Sequence, residues 1–275
     1  MQANLYALGA IALWATLATL GVQLAQVPPF LLTGLGLLTG ALLALPRWRE
    51  WKLPPRTLAL GIYGLFGFHF LLFIALRHAP PVEANLVNYL WPLLIVVLAP
   101  LLLPGVRLRP VHLLAALAGF AGAALAILGR ESGDVRMGSF AWGYIPALGS
   151  AFIWASYSLL TKRVPAFPTA AIGAFCLASG VLSLACHALF ETTPALGARE
   201  LLLIALLGCG PLGAAFFLWD KALKLGDPRR IGVLSFLTPL ASTLLLLASR
   251  GQAPTAPVLL GGALIIGAAI VAARA

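Results

Sequence analysis

The amino-acid sequence predicts an all-α integral membrane protein, with ten transmembrane helices arranged as two inverted five-helix repeats around a central cavity. Three observations carry that fold class. The first is composition: 61% of the 275 residues are hydrophobic and 9% are charged. A soluble domain carries about 25% charged residues, so this chain cannot cover a water-facing surface. The second is run length. Continuously apolar runs recur between short breaks, each near the roughly 20 residues a helix needs to cross the hydrocarbon core. The third is that patterns of the first half return in the second.

The runs fall at 4–24, 28–45, 57–77, 84–103, 110–129, 139–161, 168–190, 200–223, 229–249 and 255–273. Prolines, glycines and charges delimit them. Pro28-Pro29 separates the first run from the second, and Pro46-Arg47-Trp48-Arg49 ends the second. Pro80-Pro81 divides the third from the fourth, and Pro104-Gly105 ends the fourth. Gly226-Asp227-Pro228 divides the eighth from the ninth, and Gly251 to Pro254 precedes the tenth. The start of the chain lacks the basic region of a signal peptide, so the first run is read as a retained helix. No run alternates like the ten-residue strand of a barrel. Arg47-Trp48-Arg49-Glu50-Trp51-Lys52 reads as an interfacial anchor. Gly36-x-x-x-Gly40 and the ridge of Gly61, Gly64 and Gly67 read as packing seams. Cys176, Cys186 and Cys209 lie inside apolar runs without ligand spacing and read as packing residues.

The net charge is +10. Its cations sit at helix ends, where orientation signals and lipid headgroups account for them. No nucleic-acid-binding motif accompanies them, so no nucleic-acid partner is expected. With the N-terminus inside, thirteen Lys and Arg residues fall inside, among them Arg47, Arg107, Lys162, Lys224 and Arg229. Five fall outside: Arg77, Arg130, Arg136, Arg199 and Arg250. That bias places both termini in the cytoplasm.

The halves, 1–130 and 131–275, repeat each other. Ala7-Leu8-Gly9 followed by Trp14-Ala15 matches Ala147-Leu148-Gly149 followed by Trp154-Ala155, at an offset of 140. Ala75-Leu76-Arg77 matches Ala222-Leu223-Lys224, and Leu90-Trp91-Pro92-Leu93 matches Leu237-Thr238-Pro239-Leu240, both at an offset of 147. Gly122-Ala123-Ala124 resembles Gly267-Ala268-Ala269. Five helices is an odd number, so the second half inserts upside down. Inverted repeats mark secondary transporters, whose substrate site lies near the midplane between the halves.

Ten helices in two inverted halves, the Trp-Ala of the first helix of each half, and Pro92 and Pro239 resemble the drug/metabolite transporter superfamily of EamA type. Asn88-Tyr89-Leu90-Trp91-Pro92 narrows the resemblance to exporters of aromatic amino acids of the YddG type. The resemblance covers the whole chain. It implies export of aromatic and other neutral amino acids and related metabolites from the inner membrane by alternating access, without ATP. No P-loop is present, in agreement. The alternative within the same fold is a broad-specificity exporter of drugs or other metabolites. One departure stands out. Where many relatives carry Leu-Gly-Glu after the fourth helix of each half, this chain reads Pro104-Gly105-Val106 and Arg250-Gly251-Gln252. No role of that Glu carries over.

A polar side chain at bilayer depth costs several kcal/mol unless it is paired or faces water, and that cost selects the candidate substrate-binding residues. Asn85, Asn88, Tyr89 and Pro92 share one face of the fourth run; Gly232, Ser235, Pro239 and Ser242 form the comparable face of the ninth. Both prolines free a backbone carbonyl. Either face lines a cavity or bonds helix to helix. Trp14 and Trp154 sit away from the helix ends, unlike belt tryptophans. Trp154 shares a face with Ser150, Tyr157 and Ser158, as stacking walls beside hydroxyls or as core. His69, among Phe66, Phe70 and Phe73, either meets substrate or a coupling proton or is bonded to a neighbouring helix. Trp91 faces the cavity or the lipid boundary, and Trp219 is a weaker cavity candidate. Asp220 precedes Lys224 by four residues, a spacing that favours a structural ion pair over substrate contact.

Other classes fit less well. An enzyme needs convergent acid, base, nucleophile or metal ligands. The chain has no H-E-x-x-H or G-x-S-x-G, and its two titrating groups deep in helices, His69 and Asp220, belong to different halves. A channel filter or ring of like charge is not visible. No cofactor is expected. The expected partners are a small-molecule substrate and the lipid bilayer, with a monomer as working unit and a dimer left open.

Overall fold

The computed structural model describes residues 2–129 and 141–274. The predicted boundary at 130/131, the first two residues of the run 139–161, and Arg130 and Arg136 lie outside the described residues. Every element among the described residues is helical. The helices are α1 (Gln2–Gln23), α2 (Pro29–Leu42), α3 (Pro55–His78), α4 (Pro81–Leu102), α5 (Pro110–Leu128), α6 (Tyr144–Leu160), α7 (Thr169–Phe190), α8 (Ala198–Leu225), α9 (Pro228–Ser249) and α10 (Ala256–Arg274).

Eight of these are long and apolar enough to cross a membrane. Helix α2 becomes a ninth when joined to the 3₁₀ helix Leu45–Trp51 across a 90° bend, and α6 is shorter, at 17 residues. Large apolar side chains face outward along the bundle, including Leu5, Leu101, Leu114, Ile145, Leu189, Leu202 and Leu259. Such a surface is stable only against lipid.

Several helices are interrupted, and the sequence explains each break. Proline lacks an N–H, so Pro92 and Pro239 cannot complete the backbone ladder. Helix α4 breaks at Tyr89-Leu90 and α9 at Ser235-Phe236, just before these prolines. Helix α3 runs Pro55–Ile62, a π turn Tyr63–Gly67, then Phe68–His78; α8 runs Ala198–Cys209, a π turn Gly210–Ala214, then Ala215–Leu225. Gly64 admits the Tyr157 ring against the first π turn, where a Cβ would come within 2.3 Å of that ring. Pro211 withholds a donor at the second. Both π turns begin a step of 147 residues apart, Tyr63 to Gly210.

Helix α2 packs on α7 and α5 on α10; α1 packs on the last segment of α8, and the last segment of α3 on α6. The approach of α2 to α8 is close enough that a Cβ on Gly40 would lie 2.7 Å from the Leu212 carbonyl oxygen and 2.8 Å from the Gly213 Cα. After α4 and α9 the chain turns through Gly105 and Gly251, with φ of 76° and 64°. At Gly251 the amides of Gly251 and Gln252 return to the carbonyls of Ala248 and Leu247, a Schellman cap. The glycine of the departed Leu-Gly-Glu pattern is therefore kept for backbone conformation, while its Glu is replaced.

Candidate binding cavity

A cavity of about 440 Å³ lies inside the bundle, within the range of small-molecule sites. Its lining includes residues beside the interruptions of α3, α4, α8 and α9. A layer of tryptophans from four helices bounds it: Trp14 (α1), Trp91 (α4), Trp154 (α6) and, behind them, Trp219 (α8). Ring centroids stand 5.7 Å apart for Trp14 and Trp154, 5.2 Å for Trp14 and Trp219, and 5.6 Å for Trp91 and Trp219. Trp14 and Trp91, like Trp14 and Trp154, meet edge to face, the arrangement that ring quadrupoles favour. The Trp14 indole N–H donates to the Pro211 carbonyl in the π turn of α8, at 3.1 Å. That turn thus supplies the partner that a buried indole requires.

The polar lining comes from few residues. Asn85, Asn88 and Tyr89 stand just before the break of α4; Thr238, Pro239, Ser242 and Thr243 stand just after that of α9; His69 and Thr33 complete it. Among the described residues, no Asp, Glu, Lys or Arg lines the cavity. Asn88 is fixed by Ser150 of α6, whose hydroxyl donates to Oδ1 at 2.8 Å. His69 Nδ1 lies 2.6 Å from the Leu65 carbonyl of its own helix. Because that oxygen only accepts, Nδ1 carries the proton and Nε2 is the nitrogen left to face other groups. The expected bond to a neighbouring helix is replaced by this one within α3.

Seven of the eleven candidates line the cavity: Trp14, His69, Asn85, Asn88, Tyr89, Trp91 and Trp154. The other four do not. Tyr157 packs beneath Trp154, with centroids 5.4 Å apart, and against Gly64. The Ser158 hydroxyl accepts the Trp219 indole N–H at 3.1 Å, so each satisfies the other behind the wall. Ser235 donates to its own helix at the Gly232 carbonyl, at 2.6 Å. Hydroxyls in helices commonly close on preceding carbonyls in this way. Lining residues beyond the eleven candidates include Phe68, Phe216, Thr33 and Thr238. Thr238 carried one signal, since it stands at Trp91's place in the 147-residue repeat.

The cavity reaches from the tryptophan layer toward the end of the bundle that holds Gly21, Leu32, Leu76 and Asn85. The opposite end is tied shut. Lys224 donates to Asp220 at 2.6 Å and to the Phe167 carbonyl at 2.8 Å, and Thr169 donates to Asp220 at 2.6 Å. Lys162 donates to the Gly226 carbonyl at 3.0 Å, and Arg229 to the Arg107 carbonyl. Asp220 thus forms the structural pair its spacing favours.

A multi-pass helical bundle sheathed in apolar side chains, with a neutral, aromatic-walled internal cavity, defines a membrane protein that handles small solutes. The family model of EamA-like transporters matches residues 1–128 and 141–274, and the chain belongs to that family: it is a membrane transporter, not an enzyme. It is similar to the aromatic amino acid exporter YddG of Ancylobacter novellus, with 43% identity across 98% of this chain and 96% of that one. It is also similar to the uncharacterized transporter YyaM of Bacillus subtilis, 28% identical over 50% of this chain and 45% of YyaM. A solved crystal structure of a protein 42% identical superposes with a TM-score of 0.91, covering 99% of this chain and 96% of the other.

Proposed function

We propose that this chain exports aromatic and other neutral amino acids across the inner membrane by alternating access. The observation that carries the substrate class is the lining. Three tryptophans and four further aromatic side chains, Phe68, Phe73, Tyr89 and Phe216, stand beside amides, hydroxyls and one histidine, with no Asp, Glu, Lys or Arg among the described residues of the lining. Such a cavity stacks a planar or apolar side chain and favours a solute of zero net charge. The 43%-identical relative is an aromatic amino acid exporter, which supports the same reading.

The mechanism rests on ten helices in two inverted halves. The family model falls on two stretches that coincide with those halves. Segments of α3 and α4 recur in α8 and α9 with matching breaks. The helix contacts also keep their pattern when each helix is exchanged for the one five places on. α2·α7, α4·α9 and α5·α10 map onto themselves, α1·α8 onto α6·α3, and α4·α6 onto α9·α1. With both termini cytoplasmic, as the cation bias favours, the cavity extends toward the outside and the Lys224 closure lies inside. This is an outward-facing arrangement. The cavity is built within one chain, which supports a monomer as the working unit.

The test is uptake by proteoliposomes of the purified chain, with labelled phenylalanine, tryptophan and leucine competed by unlabelled amino acids, with and without a pH gradient. Saturable uptake with mutual competition is expected. Rates no higher than in empty vesicles for every amino acid would sink the proposal.

A further inference from the structure

Resting on that reading, a zwitterion in this cavity presents a difficulty: its carboxylate must leave water, yet no Lys or Arg among the described residues lines the walls. Something else has to offset the negative charge. Two half-helices begin at the cavity instead of at the membrane surface. The second segment of α4, Trp91–Leu102, has 12 residues, and that of α9, Leu237–Ser249, has 13. Trp91, Thr238 and Pro239, all in the first turns of these segments, line the cavity. The first turn of a helix carries the positive end of the macrodipole. Pro92 and Pro239 have no N–H and the Thr238 N–H already bonds the Ser235 carbonyl, so here it is the dipole that favours a bound anionic group.

A second observation, independent of helix geometry, singles out one of the two. Thr238 is 4% exposed, and its buried hydroxyl has no hydrogen-bond partner among the described residues. The hydroxyls of Ser235 and Ser249 on the same helix close on carbonyls three residues back, at 2.6 and 2.8 Å. Thr238 has no such closure. An unpaired buried hydroxyl costs about 1–3 kcal/mol. A carboxylate oxygen supplies the missing acceptor.

We propose that the substrate carboxylate docks at the start of the second segment of α9, with the Thr238 hydroxyl as its donor and the α4 and α9 half-helix N-termini as its electrostatic support. Thr238 is then a specificity-determining residue that separates amino acids from the amines and amides sharing their side chains. The polar groups on the other walls, His69 Nε2 and Asn85, are left for the ammonium.

The test uses the full chain in proteoliposomes, with phenylalanine and phenylalanine amide as paired substrates. Thr238→Val keeps the shape and removes the donor; Thr238→Ser keeps the donor. Expected are a KM for phenylalanine raised about 10-fold in Thr238→Val, as for loss of one hydrogen bond to a charged group, a clearly smaller rise for the amide, whose carbonyl accepts only a neutral hydrogen bond, and recovery in Thr238→Ser. Thermal melting in detergent checks that each variant is folded. An unchanged phenylalanine KM in folded Thr238→Val, or equal losses for acid and amide, overturns the carboxylate site while leaving amino acid export standing. Wild-type vesicles that carry neither compound overturn export itself, and the site with it.

Discussion

The hairpin α3–α4 and the hairpin α8–α9 share a backbone plan but fasten their ends by different chemistry. In each, a five-residue π turn leads into an 11-residue helix, followed by a proline-broken helix. At the end of α3, Arg77 reaches across to Glu191, just past α7, at 3.0 Å; Glu191 also accepts from the amides of Phe30 and Leu31 and bonds His187. At the matching place in α8, Lys224 pairs with Asp220 on its own helix and uses its other donors on the Phe167 carbonyl and Thr169. The charge pair at the cavity's end of the bundle therefore joins different elements. At the closed end the pair is internal to one helix, and hydrogen bonds with the neutral Phe167 carbonyl and Thr169 hydroxyl tie α8 to the start of α7. In the alternating-access cycle proposed above, opening that end would not separate a buried ion pair, which would keep the electrostatic cost low.

The two π turns give the largest expected contrast. A Cβ on Gly213 would stand 2.1 Å from the Gly208 carbonyl oxygen and 2.8 Å from the Gly40 Cα, both backbone atoms. On Gly64 it would meet the Tyr157 ring, a side chain. Overpacking typically costs about 1–3 kcal/mol and more where nothing can yield. Gly213→Ala is expected to lose most folded protein, and Gly64→Ala to remain folded with a lowered melting temperature, as read by size-exclusion yield and thermal melting. Equal losses would show that the ring at Tyr157 is held as rigidly as backbone.

The fastenings come next. Lys224→Ala leaves Asp220, 3% exposed, with Thr169 as its remaining partner, and should cost about 2–3 kcal/mol, less than a fully buried pair because Lys224 is 32% exposed. Arg77→Ala removes a side chain 46% exposed, and Glu191 keeps His187 and two amides, so under about 1 kcal/mol is expected. Melting temperatures of the two variants in one detergent decide the order. A larger loss for Arg77→Ala would reverse the assignment of the tighter fastening.

Much of this architecture was legible in the sequence, for reasons that also explain what was not. Each predicted run overlaps a helix because proline pairs, glycines and charges interrupt apolar stretches at the right lengths. Asn85, Asn88 and Tyr89 stood out because polar groups are costly at bilayer depth. Phe68 and Phe216 carry no such contrast: an aromatic in an apolar helix looks the same whether it faces lipid, core or cavity. Ser158 and Ser235 were over-read for the opposite reason, since a hydroxyl satisfied by an indole or by its own helix is cheap to bury. The π turns are one-residue slips. Gly64 and Pro211 permit them, but tertiary contacts decide where they fall.

The smallest expected effect separates the hairpins by pH. Between α8 and α9, Asp227 caps the next helix, accepting from the Arg229 backbone N–H at 2.8 Å and from its guanidinium at 2.5 Å. Between α3 and α4 the matching residue is Pro80, which offers no side-chain cap. Burial alone would raise the Asp227 carboxyl, but the hydrogen bonds and charge of Arg229 outweigh it and hold the group below the ordinary carboxylate value. A carboxylate depressed in the folded state contributes stability above its unfolded value, about 4, and that contribution disappears as pH falls through the lower folded value. Asp227→Asn keeps an N-cap acceptor and removes the charge paired with Arg229, so it should cost under about 1 kcal/mol at neutral pH, with the gap to wild type constant down to about pH 5 and closing as melting is measured on toward pH 3. Pro80→Ala should leave the pH dependence as it is. If the gap stays constant across that range, the Asp227 charge contributes nothing, and the two hairpins differ in steric fastening alone.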